Sequence, residues 1–460
     1  MFRVLTILLF TLISYSFLYG QVNNFDPDKK VRILFLLDGS GSMLSKWDGE
    51  VKMTTAKKLL MTLVDSLKPK TNIELALRVY GHQFDKRFNN CTDTKLEIGF
   101  RGDNHESIKA KLRSLKPQGT TPISYSLEQA AKDFSSNQNT RNVVVMITDG
   151  EESCSGDPCA VSLELQKKKV FLKPFIIGIG DEIKVIDAFE CMGQYFDARN
   201  IEGFRLALDK VIKQITYKST VTVNLLDSKN QATETNVPIA FVNNVTNEVI
   251  HHYVHRLDEK KMPDTLIMDP VISYDLHVST IPEVVKKGII LEGGEHSRIE
   301  LNTPQGTLAF NQPNYSEYKT LPQALIKKDN EIIYTQKLDE TQQYLVDTYD
   351  IEVLTLPRVI FKDVKINQSQ TTELTLPAPG ILNMLDNLNG YGSLYKIYEN
   401  GGQEWFYNFE NNKTNFSIAL QPGTYKLVFR AENAFTSRFT DVQEFAIRSG
   451  SIVNIKLFNK

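Results

Sequence analysis

Residues 31–43, VRILFLLDGSGSM, constrain this chain most. Seven residues, all apolar but one Arg, run directly into Asp38-Gly39-Ser40-Gly41-Ser42. A run of that length and composition suits a strand covered on both faces, as in a parallel sheet. Asp38, Ser40 and Ser42 then offer three hard oxygens at two-residue spacing. Gly39 and Gly41 allow a turn tight enough to converge them. Such oxygens suit Mg2+ or Mn2+ rather than a soft metal, whereas a plain Gly/Ser turn after a strand would need none.

Two later segments bear on that choice. At Gly119-Thr120-Thr121-Pro122 a loop enters a helix with Pro122 at the first helical position, which places Thr121 at the N-cap. At residues 143–150, VVVMITDG, a second apolar strand ends in Asp149 and a turn glycine. Open parallel sheets gather ligands at the carboxyl ends of their strands, so the three loops can meet at one place.

On these residues the chain resembles the von Willebrand factor A family, whose metal-ion-dependent adhesion site combines D-x-S-x-S, a Thr from a second loop and an Asp from a third. Asp38, Ser40, Ser42, Thr121 and Asp149 fill those positions in order, and the resemblance covers about residues 29–216. It implies that the two Ser and the Thr coordinate the ion directly or through water. The two Asp ligate it or stand behind it, and one open position takes a carboxylate from a partner. A divalent ion with few negative ligands stays electrophilic and gains most from an anionic oxygen.

The rest of this segment fits a doubly wound α/β sheet. Residues 53–67 place Ala56, Leu59, Leu60, Leu63, Val64 and Leu67 at helical spacing. Strands are expected at 73–80, 96–100, 171–179 and 193–197, and helices at 122–134 and 204–215. The last helix carries Phe204, Leu208, Val211 and Ile215 on one face.

At the amino terminus Arg3 precedes an apolar run from Val4 to Tyr19. The run is short for a membrane span and suits a secretory signal cleaved near Gly20, against the alternative of an uncleaved anchor. The mature chain is expected to have no membrane span and to be secreted or periplasmic. Cys91, Cys154, Cys159 and Cys191 are then expected to form two disulfides. Three pairings are possible. A short Cys154–Cys159 loop beside Asp149 is attractive and leaves Cys91 for Cys191, while a zinc site is the rival use. With 53 basic and 55 acidic residues, nothing favours a nucleic-acid partner.

Beyond Thr216 repetition replaces chemistry. Residues 273–301, 348–376 and 424–457 each carry a Tyr-led strand, a spacer, a strand, a polar turn and a last strand. Tyr274, Tyr349 and Tyr425 are 75 and 76 residues apart. Alternating polarity argues for antiparallel β-sandwiches, and their pattern is similar to that of transthyretin-like or carboxypeptidase-regulatory-like modules. The expected organisation is a signal at 1–20, a linker at 21–28, the A domain at 29–217 and sandwiches at 218–303, 304–378 and 379–460.

Three features carry less weight. Arg101-Gly102-Asp103 is expected to be a turn after a strand. His251, His252 and His255 lie in an alternating segment and are expected on a surface strand. Glu151 and Glu152 are expected to tune the field near Asp149. The sequence therefore reads as an exported, non-enzymatic binding protein whose cation engages a carboxylate on a protein or cell surface. The alternatives are an envelope assembly subunit with a vestigial site and a hydrolase, for which no nucleophile, base and orienting residue are evident.

Overall fold

A computed structural model describes residues 29–134, 140–180, 189–311, 318, 320–385, 388–409 and 415–458. The expected signal at 1–20 and linker at 21–28 lie outside the described residues. No helix among the described residues is long and apolar enough to cross a membrane.

The amino-terminal α/β unit runs β1 (Lys30–Asp38), a small hairpin of β2 (Lys46–Trp47) and β3 (Glu50–Val51), and α1 (Lys52–Leu67). Then come β4 (Ile73–Tyr80), β5 (Thr94–Arg101), α2 (His105–Ser114) and α3 (Ile123–Asp133). It closes with β6 (Thr140–Thr148), α4 (Pro158–Lys167), β7 (Phe175–Ile179), β8 (Gln194–Ala198) and α5 (Ile201–Thr216). The sheet order is β5-β4-β1-β6-β7-β8. Every neighbouring pair is parallel except β4 with antiparallel β5.

The apolar run of β1 is buried on both faces, and its alternation divides the core in two. Ile33, Phe35 and Leu37 pack with Ala56, Leu60 and Val64 of α1 and Phe204, Leu208 and Val211 of α5. Leu34 and Leu36 face Ile123, Leu127 and Ala130 of α3. Two helices escaped the sequence reading. Helix α2 buries His105, Ile108 and Leu112, and α4 buries Ser162 and Gln166 with Val161 and Leu165 half-buried against the core, so each offers only a short apolar contact. Strand β7 starts at Phe175 rather than Phe171, directly after Pro174, a residue that cannot donate to a ladder.

The remainder consists of paired sheets. The first pair contains β9 (Ser219–Leu226), β10 (Val237–Asn243), β11 (Val249–His255), β12 (Thr265–Met268), β13 (Tyr274–Val278), β14 (Val284–Ile289) and β15 (His296–Asn302). One sheet has order β11-β10-β13-β14 and the other β12-β9-β15. Between them lies a core of Val223, Ile239, Phe241, Tyr274 and Leu276. The same pairing of a four-stranded with a three-stranded sheet recurs within residues 305–375 and 380–455, each over its own apolar core. One detail departs from a purely antiparallel reading: in all three units the first strand pairs in parallel with the last.

The repeated tyrosines explain the period. Each is buried, and its hydroxyl donates to a backbone carbonyl four or five residues upstream. Tyr274 bonds Asp269 O at 2.8 Å, Tyr349 bonds Leu345 O at 2.8 Å and Tyr425 bonds Gln421 O at 2.6 Å. This corner locks the chain's entry into a core strand while satisfying the phenol, as in other sandwiches.

The first sandwich is fastened to the α/β unit. Arg141 Nε and Nη2 donate to Asp269 at 2.9 and 2.6 Å, and Arg141 Nη1 donates to Ile215 O at 3.0 Å. Val271 packs into the α1/α5 side of the α/β core.

Candidate functional site

The carboxyl ends of β1 and β6 meet at Asp38, which is fully buried. Its Oδ1 accepts the Ser40 N–H at 2.7 Å and its Oδ2 accepts the Thr148 hydroxyl at 2.8 Å. Burial, followed by the charge of Asp149, pushes its pKa up to about 6. Beneath it the buried Tyr80 phenol is held well above its ordinary value, by burial first and then by Asp38.

Ser40 and Ser42 link Asp38 to Asp149, through the Ser40 backbone N–H on one side and the two Ser hydroxyls on the other. Ser42 donates to Asp149 Oδ1 at 2.7 Å. The Ser40 and Ser42 Oγ atoms are 2.8 Å apart. Because the Ser42 proton is committed to Asp149, Ser40 donates to Ser42. The second oxygen of Asp149 accepts from Lys52 Nζ at 2.8 Å.

Backbone contacts bring in the Thr loop. Gly41 N–H donates to Gly119 O at 3.0 Å, and Ser40 and Gly119 form a parallel bridge. Gly39 is required by space, since a Cβ there would lie 2.7 Å from the Tyr80 carbonyl oxygen. Gly41 is not, because its nearest neighbour would be 3.8 Å away.

Thr121 does not stand at the N-cap. That position belongs to Pro122, whose ψ of 72° is not helical, and α3 begins at Ile123. Ser153 engages Thr121 on both sides, its Oγ accepting the Thr121 N–H at 2.7 Å and its N–H donating to Thr121 O at 3.1 Å. These bonds hold Thr121 outside the helix beside the Asp149 loop. Its side chain joins no hydrogen bond with the other four residues.

The expected disulfide pairing needs correction. The disulfides are Cys91–Cys154 and Cys159–Cys191, with Cα separations of 5.8 and 5.5 Å. Asp157 caps α4 through Ala160 N–H, which commits Cys159 to the helix and packs it toward the α3 side of the core. Cys154 instead tethers the Asp149 loop to the β4–β5 loop. With all four thiols oxidised, zinc has no cysteine ligand here. Glu152 is a structural cap: its Oε2 accepts Ser124 N–H at 2.7 Å at the start of α3, and its Oε1 accepts Cys154 N–H at 2.9 Å. Of the three histidines on edge strand β11 only His252 is exposed, whereas His251 and His255 turn into the sandwich. His255 Nε2 lies 2.9 Å from Val223 O, and burial lowers both rings below the ordinary histidine value.

The Arg101-Gly102-Asp103 turn pairs its own ends, with Arg101 Nε 2.9 Å from Asp103 Oδ1. Among the described residues no three His, Cys, Asp or Glu side chains gather as a metal site. The Asp38 cluster is two carboxylates with three hydroxyl residues. Sequence reasoning passed over Thr148, Lys52 and Ser153. Thr148 was traceable as the polar residue ending an apolar strand, but Lys52 carried no signal at the head of an amphipathic helix.

The von Willebrand factor type A domain family profile matches residues 33–190. Uncharacterized protein YwmD of Bacillus subtilis (strain 168) is 34% identical over 199 residues, covering 41% of this chain and 87% of that protein. Uncharacterized protein YwmC of the same organism is 31% identical over 172 residues, covering 36% and 74%. Among solved structures, the conserved hypothetical protein BatB from Bacteroides thetaiotaomicron aligns with 40% of this chain and 99% of its own at 19% identity, with a TM-score of 0.32.

Proposed function

The chain belongs to the von Willebrand factor type A domain family, and from that premise we propose that it is an exported, non-enzymatic binding protein that engages an acidic group of a protein or surface partner through a divalent cation. Asp38, Ser40, Ser42, Thr121 and Asp149 would hold Mg2+ or Mn2+. One observation carries the reading: Asp38 at the end of β1 and Asp149 just after β6 are linked through Ser40 and Ser42, by the Ser40 N–H on Asp38 and the Ser hydroxyls on Asp149, at the carboxyl edge of the sheet.

The donors fit the ion. All are hard oxygens, as Mg2+ and Mn2+ prefer. Asp38 is buried beside Asp149 at a cost reflected in its raised pKa, and a divalent charge between them would relieve that repulsion. When bound, the ion would offer an open position to a partner's anionic oxygen. The protein's own residues anchor the loops: Thr148 orients Asp38, Ser153 fixes Thr121, and Cys91–Cys154 joins two of the loops that border the cluster. The two disulfides support export to an oxidising compartment.

A second reading, an assembly subunit with a vestigial cation site, is favoured by the Lys52 ammonium already resting on Asp149. Calorimetric titration of Mg2+ and Mn2+ into the metal-stripped protein and into Asp38→Ala separates the two. Binding that disappears in the variant is the expected result. Heat absent from both proteins would favour the vestigial site.

A further inference from the structure

Lys52 is the first residue of α1, where the helix dipole opposes a positive charge. The first turn of α1 holds no acidic residue to compensate. The Lys52 side chain is nevertheless drawn inward to 15% exposure, with Nζ 2.8 Å from Asp149 Oδ2, while the Asp149 side chain is fully covered. The ammonium also lies over the end of β7, since a Cβ on Gly180 would be 3.5 Å from Nζ. A residue placed against a local rule is best explained by what it does at the site.

We propose that Lys52 is a tethered competitor of the divalent ion. Its ammonium holds Asp149 when the site carries no ion, and it lowers affinity when an ion arrives. The cluster's formal charge explains the effect. Asp38 and Asp149 alone would present two negative charges to a cation; with Lys52 in place the net is one. The hydrogen bonds divide Asp149 in the same way, with Oδ1 receiving Ser42 and Oδ2 receiving Lys52, so neither oxygen is free. An incoming ion must displace the ammonium or tolerate it as a close like charge. Lys52 thereby sets a threshold concentration below which the site stays closed to a partner's carboxylate, and its flexible stem allows it to swing away toward solvent. This inference rests on the cation-binding reading above and adds the residue that tunes it.

The test compares the full mature chain with Lys52→Met, Lys52→Arg and Asp38→Ala, each stripped of metal and titrated calorimetrically with Mg2+. Removing a like charge a few ångströms from the ion should tighten Mg2+ binding in Lys52→Met on the order of tenfold. Lys52→Arg, which keeps the charge, should stay near the parent. A second readout is the thermal midpoint in EDTA, which should drop in Lys52→Met as Asp149 loses its counter-charge and recover when Mg2+ is added. Equal affinity in Lys52→Met and the parent, with binding abolished in Asp38→Ala, would overturn the role of Lys52 while leaving the cation site intact. Weaker binding in Lys52→Met would overturn it too, by making Lys52 a support of the site. Absence of binding in every protein would remove both readings together.

Discussion

The α/β edge and the sandwich corners bury polar groups in opposite ways. At each tyrosine corner one phenol meets one carbonyl, the bond is local, and the arrangement recurs three times. At the edge of the α/β sheet, two carboxylates come together from separate segments: Asp38 takes the Ser40 N–H and the Thr148 hydroxyl, and Asp149 takes the Ser42 hydroxyl and the Lys52 ammonium. The corners are satisfied within the protein alone. At the edge the hydrogen bonds are made, yet burial and the neighbouring Asp149 charge still raise the Asp38 pKa. A hydrogen-bonded neutral group can be buried without residual cost, whereas two hydrogen-bonded carboxylates placed side by side still repel each other.

Asp269 joins the two regions, and perturbing it should have the largest effect. Replacing Asp269 with Ala leaves the buried Arg141 guanidinium without its carboxylate, a change that costs about 3–5 kcal/mol. Chemical denaturation should register that loss in the α/β unit as well as the first sandwich. An effect confined to the sandwich would mean that the two regions are energetically separate.

Asp38→Asn should divide the regions cleanly. It should abolish Mg2+ binding yet raise the unfolding midpoint of the ion-free protein, because the buried charge it removes costs more than the one accepted hydrogen bond it gives up. The pH dependence follows from the same shift. The folded pKa of Asp38, about 6, lies above its ordinary 3.8, so the native state holds this proton more tightly than the unfolded chain does. The associated stability is complete below about pH 4 and is lost as pH rises through about 6. The midpoint advantage of Asp38→Asn over the parent should therefore widen between those values and then level off. A constant gap across that range would contradict the assignment.

Burial lowers His251 and His255 instead, so their contribution is present above the ordinary 6.5 and is lost as pH falls below it. Acidification from pH 7 to 5 should consequently destabilise the first sandwich while easing the strain at Asp38. Fluorescence-monitored unfolding of His251→Gln should show a weaker acid limb than the parent. The smallest effect belongs to the corners: Tyr349→Phe or Tyr425→Phe should cost about 1 kcal/mol each and leave Mg2+ affinity unchanged.

What the sequence disclosed follows the same division. The central strands were legible because long apolar runs have few other uses, and the meeting of Asp38, Ser40, Ser42 and Asp149 because each follows an apolar strand at the carboxyl edge of the sheet. The period of the tyrosines was visible, although the parallel pairing of first and last strands was not, since no local residue encodes a partner some 70 positions away. Helices α2 and α4 were hidden because each turns only a short apolar pair to the core, Ile108 with Leu112 and Val161 with Leu165. The disulfide pairing depended on the direction in which α4 turns Cys159, a property of three-dimensional packing. Lys52 was invisible for a related reason: its contact with Asp149 joins residues 97 positions apart, and an exposed helix-start lysine has the same sequence signature.

Thermal unfolding of the parent and Asp38→Asn, each with and without Mg2+, tests the central claim most directly. The account predicts that Mg2+ raises the parent's midpoint and leaves the variant's unmoved, with the variant above the parent when no ion is present. An identical Mg2+ response in the two proteins would contradict it.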